Sequence, residues 1–123
     1  MRVTMAMMMT LALAQDPVRV VPGAAPETRT LYRAAKPGEQ RVEGLLRRID
    51  CPRGQPVTFT LTKPDKTPVK FTAPSLTSVE YIAHTPTFRG PVSCGGRTPP
   101  DRVYLTWVPS TKRVIAVEFL PPE

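Results

Sequence analysis

The chain has 123 residues, 41% of them hydrophobic, with 17 Lys and Arg against 10 Asp and Glu, a formal net charge of +7. That size accommodates one domain, and 16 prolines exclude a bundle of long helices, because proline has no N–H to donate and clashes inside a helix. The positive balance favours anionic partners and carries no information about fold.

Residues 1–14 have the layout of a secretory signal. Arg2 is a minimal positive start, Val3 to Leu13 form an apolar Met-rich run, and Ala12-Leu13-Ala14 is a cleavage site that leaves Gln15 as the mature N-terminus. The run is shorter than the roughly 20 apolar residues of a membrane span. No cysteine follows the cleavage site to carry a lipid anchor. Residues 15–40 show no hydrophobic period and are punctuated by Pro17, Pro22, Gly23, Pro26, Pro37 and Gly38. They read as a disordered or extended tether, within which Leu31, Tyr32 and Ala34-Ala35 are able to form a helical turn or dock.

Residues 41–120 carry the domain, and 121–123 a short tail. The first strand spans about 42–51. Leu46 lies on one parity, Ile49 and Cys51 on the other, and an extra residue at Arg47-Arg48 would bring all three inward; the alternative is an edge strand with one mispatterned Arg. Gly44 suits a sharp bend or a close backbone approach. After a turn at Pro52-Arg53-Gly54, residues 56–63 alternate cleanly: Val57, Phe59 and Leu61 on one face, Thr58, Thr60 and Thr62 on the other. Pro64-Asp65-Lys66-Thr67 turns the chain into a strand over 68–73, with Val69 and Phe71 inward and Lys70 outward. A further strand over 78–84 alternates through Val79, Tyr81 and Ala83. Residues 85–101 form a long connector rich in Pro and Gly. Residues 102–109 resume a strand with Val103, Leu105 and Trp107 on one face and Tyr104 on the other. The last strand, 112–120, puts Ile115, Val117 and Phe119 on one face and sends Glu118 to solvent beside Lys112 or Arg113. The expected core is Leu46, Ile49, Phe59, Leu61, Phe71, Trp107 and Phe119.

In an oxidising compartment the two cysteines, Cys51 and Cys94, are most simply one disulfide. Three meandering strands, a long connector and a closing hairpin match an all-β domain. The reading is a small five- to six-stranded OB-like barrel stapled by one disulfide, behind a disordered N-terminal tether. A six-stranded sandwich or another small barrel is the competing arrangement. In such a barrel the first strand pairs antiparallel with the fourth, which brings the end of one, Cys51, close to the start of the other, just after Cys94.

The pattern Gly-x-Leu-x-x-Ile-Asp-Cys at 44–51, Cys-Gly at 94–95, the strand at 103–108 and Ile-Ala-Val-Glu-Phe at 115–119 resembles an uncharacterised bacterial β-domain. That domain is found at the C-terminus of exported tetratricopeptide-repeat proteins, and the likeness covers about residues 42–120. The family has no assigned activity or catalytic residues, so the resemblance implies none here. The chain departs from it in lacking helical repeats.

Constellations for catalysis are thin. Cys94 with His84 would suggest a thiol protease, but Cys94 has a disulfide partner and His84 no evident orienting residue. Cys51, His84 and Cys94 lack zinc-site spacing, and Cys94-Gly95-Gly96 is too short for a phosphate loop. Asp50, Glu80 and Glu118 are unpaired candidate acids. The expectation is therefore no enzyme and no cofactor or metal. It is an exported, periplasmic or extracellular monomeric binding module, with no stable membrane anchor after cleavage. The alternative function is binding of an anionic polymer, polysaccharide or nucleic acid, on a basic face built from Arg47, Arg48, Lys70, Arg102 and Tyr104. The partner is then an envelope protein or an anionic envelope polymer. Intact-mass measurement on exported protein is expected to show a chain starting at Gln15; a mass that retains Met1 contradicts the signal reading.

Overall fold

A computed structural model of the chain describes residues 27–28, 31–88 and 90–122. The signal segment and most of the tether lie outside these residues. The elements are β1 (Glu27–Thr28), β2 (Gln40–Asp50), β3 (Val57–Thr62), β4 (Pro68–Ala73), a short 3-10 turn (Leu76–Ser78), β5 (Glu80–Ala83), β6 (Gly95–Val108) and β7 (Arg113–Phe119).

The domain is all-β and OB-like. Pairing runs β2–β3–β4–β7–β6 and returns to β2, with β2–β6 antiparallel as expected. The β4–β7 join is slight: one parallel pair, Thr72 with Arg113, and a Thr72 N–H donating to Lys112 O at 3.1 Å. Beyond it β5 takes over as the parallel neighbour of β7, from Glu80–Ala116 to Ala83–Phe119, and β1 pairs with β5.

β2 has two partners because it bends. Its register slips between Leu46 and Arg48 against both β3 and β6, so Arg47 is the extra residue of a bulge. Leu46 and Ile49 are both fully buried across it, and Cys51 is partly buried against the same core. Gly44 lies where a Cβ would stand 2.9 Å from the Thr62 carbonyl oxygen. The strand therefore closes on β3 only without a side chain there. On the far side, Gly96 pairs with Arg48 and Asp101 with Leu46, leaving 97–100 opposite the bulge. Pro99 and Pro100 sit in that gap, where no ladder donor is required. This is why β6 begins at Gly95, well before the expected start near 102.

The core is close to the expected one. Phe59, Leu61, Phe71 and Phe119 are buried, together with Val103, Leu105 and Val117. Leu76 from the 3-10 turn, Val79 after it and Tyr81 from β5 join them. Two expectations are corrected. Trp107 is only partly buried, tilted against Phe71 at 4.8 Å between ring centroids. Ile115 is displaced by a second bulge, since Trp107 pairs with Val114 and Thr106 with Ala116, so Val114 takes the inward place.

The Cys51–Cys94 disulfide is present, with 5.9 Å between Cα atoms and 43 residues of separation. It pins the end of β2 next to the start of β6. Closing a loop of that length contributes on the order of 4 kcal/mol in the chain-entropy account.

The stretch 31–39, expected as the end of a tether in which Leu31, Tyr32 and Ala34-Ala35 could dock, is docked. It runs over the outside of the sheet as a strap and turns into β2 at Pro37-Gly38, where Gly38 has a φ of 84° and Glu39 N–H donates to Lys36 O at 2.9 Å. Its route explains a second buried layer. Ile82, Thr106, Ala116 and Glu118 alternate with inward residues, hence point away from the barrel interior, yet each is 0% exposed.

Adding a methyl group at the bend tests its tightness. Gly44→Ala is expected to lower unfolding stability by about 1–3 kcal/mol, the usual cost of overpacking, in a denaturant titration; an unchanged midpoint would show that β2 and β3 part without penalty.

Candidate functional site

Two features stand out on the outer face of the β2–β6–β7–β5 part of the sheet: a closed polar cluster under the strap and an open groove beside it.

The cluster is centred on Glu118. Cross-strand register sets Glu43, Tyr104, Glu118 and Ile82 in one row over β2, β6, β7 and β5. The strap covers the middle of that row. Arg33 N–H donates to Glu118 Oε2 at 2.8 Å, and His84 Nε2 lies 2.8 Å from the same oxygen. Glu118 Oε1 makes no hydrogen bond among the described residues, with Arg41 Nε at 4.0 Å. The Arg33 guanidinium bonds Glu39 at 2.8 Å and Glu80 at 3.2 Å, and Arg41 Nη2 donates to Arg33 O. Tyr32 packs edge-on to both His84 and Tyr104, and Arg41 lies over the Tyr104 ring.

Glu118 is thus not at the surface beside Lys112 or Arg113, and His84 does have an orienting carboxyl. The pair is closed off from solvent. The His84 side chain is 3% exposed and Glu118 0%, and the Cys94 sulfur is consumed by the disulfide. Alternation places Glu118 opposite Val117 and Phe119, but nothing local announces a strap; the signal was the charge set of Arg33 and Glu39, six residues apart, with Glu80, 47 residues from Arg33. Among the described residues no group of three or more His, Cys, Asp and Glu is arranged to hold a metal ion.

The groove is a cavity of about 270 Å³. Its floor is the bend of β2, Glu43 to Leu45 with Arg47, and its far wall is the β3–β4 turn with Lys63 and Lys66. The bulge throws Arg47 outward, where its Nε donates to Thr62 Oγ1 at 2.9 Å. Arg102 closes the near side, paired to Glu43 at 3.1 Å and donating to Pro121 O at 3.0 Å. Arg47, Lys63 and Lys66 form no ion pair among the described residues; Asp65, on the same turn, accepts the Thr67 N–H. Lys66 has a φ of 74°, a conformation glycine would adopt without strain.

The five residues expected to form one basic face divide into three places. Arg47 and Arg102 line the groove. Arg48 and Lys70 flank Thr60 on the outside of β2–β3–β4, and Arg48 is paired with Asp50 at 2.6 Å. Tyr104 lies against Tyr32 and Arg41 and is not an open stacking surface. Lys63 and Lys66, basic residues expected on outer faces but outside that set of five, line the groove with Arg47 and Arg102.

Glu118→Ala removes the acceptor for the Arg33 N–H and for His84 in a buried setting, which costs about 3 kcal/mol. Trypsin cleavage after Arg33 is expected to accelerate with it; unchanged cleavage would mean the strap is held by other contacts. The strap also responds to pH. The hydrogen bond from Arg33, followed by that from the Lys36 N–H, holds the Glu39 carboxyl below its ordinary value. A depressed carboxylate contributes stability that is complete above the unfolded pKa and lost as pH falls through the folded one. The protection factors of the 31–39 amides, exchange rates corrected for their intrinsic pH dependence, are therefore expected to fall as pH drops below the ordinary carboxylate value and to stay constant above it.

No protein-family model, curated protein or solved structure matches this chain, and the site rests on its own geometry.

Proposed function

We propose that this chain is an exported, non-enzymatic binding module of the cell envelope and that its ligand is anionic. The observation that carries this reading is the groove in which Arg47, Lys63, Lys66 and Arg102 surround a single carboxylate, Glu43. Assembling like charges around a concavity raises the local concentration of counter-charge. A lysine kept at a left-handed turn position adds to that, since strain of this kind gathers at functional sites. Export is supported by the apolar N-terminal run with its Ala-x-Ala site and by the disulfide, a bond that persists in oxidising compartments. The resemblance to the β-domain of exported repeat proteins points to the same compartment and carries over no catalytic residues.

The test is a binding panel of heparin, single-stranded DNA and poly-glutamate at two salt concentrations. Each cation that neutralises a ligand charge releases a counterion, so affinity should fall steeply as salt rises. Lys63→Glu with Lys66→Glu lies on an exposed turn, leaves the core intact and is expected to abolish binding. No binding of any polyanion at low salt, or binding indifferent to the double reversal, overturns the proposal.

A further inference from the structure

The basic groove does not end at Arg102. A second cavity of about 330 Å³ shares Leu45 and Arg102 with it. A third, shallower one shares Phe88 and Pro99 with the second. Together they form one trough running from the β3–β4 turn, across β2 and β6, to the loop after β5. Its chemistry changes along its length. The turn end is cationic. The middle is apolar, floored by Leu45, Phe88 and Leu120 and rimmed by Pro99, Pro100 and Pro122.

We infer that the ligand of this trough is an acidic peptide segment that places an apolar side chain in the middle cavity and its carboxylates at Arg47, Lys63 and Lys66. This rests on the anionic-ligand reading above and narrows it. The middle cavity lies at the low end of the roughly 300–1,000 Å³ range of ligand pockets, large enough for one bulky side chain. Three of its lining residues are prolines, which have no N–H to donate, and its other polar groups are Thr85, Thr87, Asp101 and the shared Arg102. An acidic polysaccharide laid there would bring its carboxylates to Asp101, a like charge, and would regain only part of the hydrogen bonding its hydroxyls lose from water, a net cost. Single-stranded nucleic acid wants a row of aromatic faces. Here the Phe88 ring is stacked on Phe119 at 4.1 Å and Tyr104 lies against Tyr32. A leucine or phenylalanine flanked by Asp or Glu satisfies both ends at once. Burial of the apolar group supplies non-directional affinity, and the cations fix the orientation.

The experiment is fluorescence anisotropy on the full chain with three dye-labelled probes at low salt. They are a peptide with one Leu among Glu and Asp, the same peptide with Ser for Leu, and single-stranded DNA; heparin serves as competitor. Leu to Ser is expected to weaken binding about tenfold or more, the equivalent of one buried aliphatic side chain. Added salt should weaken both peptides in parallel. Lys63→Glu with Lys66→Glu should abolish binding of both. Phe88→Ser, which lies in the middle cavity and outside the cationic groove, should weaken the Leu peptide and leave the Ser peptide unchanged. Amide shift mapping on the unaltered chain, expected to move Leu45, Phe88 and Leu120, keeps the test valid should Phe88→Ser unfold. Equal affinity of the two peptides, or DNA or heparin binding tighter than the Leu peptide, overturns this inference and leaves the anionic groove standing. Silence of every probe at low salt overturns both.

Discussion

The bend in β2 is the constraint on which the rest of the molecule depends. One strand must hydrogen-bond β3 on one side and β6 on the other while turning through the wall of a narrow barrel. A straight pleated strand cannot do this. Two local devices make it possible: Gly44, where backbone approaches backbone, and one extra residue at Arg47, which raises the local twist. The same two devices build the groove. Without a side chain at 44 the floor is low, and the bulged residue is the one that points out over it. Shape and charge of the candidate site are therefore by-products of how the barrel closes.

The sheet carries burial on both sides over β5, β6 and β7. Inside lies the aromatic and aliphatic core. Outside, the strap covers a row in which a carboxyl, an imidazole and a backbone N–H meet. A buried polar group without partners costs far more than a satisfied one gains. The cluster therefore favours one position of the strap over others rather than adding much net stability. Arg33 acts through both its backbone and its guanidinium, linking β7 and β5 and tying back to Glu39 within the strap. The outcome is that the chain entering β2 is directed across the sheet, away from the groove.

The groove stands in contrast to this satisfied cluster. Around the strap, cations and carboxyls are matched: Arg33 with Glu39 and Glu80. Around the groove they are not, with Lys63 and Lys66 contributing charge from an exposed turn and only Arg102 held by Glu43. Unmatched surface charge brings little to folding. Its value lies in the field it projects, which is why the functional reading attaches to this half of the face.

Strand order, faces and the disulfide were legible in the residues themselves. Period-two alternation identified β3 and the inward side of β4, because a side chain in a strand has only two directions to choose from; the paired cysteines at the β2–β6 corner followed from their number and the expected strand order. The bulge at Arg47 was legible for the same reason, as a break in parity. What alternation cannot report is a second layer. Glu118, Thr106 and Ile82 sit on the outward parity and would be solvated in an isolated barrel; a segment about eighty residues away in sequence from Glu118 buries them. Nor does periodicity extend into turns, so Lys63 and Lys66 gained their place only from the geometry of the β3–β4 hairpin. Arg48 and Arg47, adjacent in sequence, went to different sites because one residue of bulge rotates its neighbour to another part of the wall. The sequence by itself determined which residues prefer the interior. Long-range pairing and the docked strap decided which of the remaining polar groups meet, since that depends on distances between segments that no local pattern encodes.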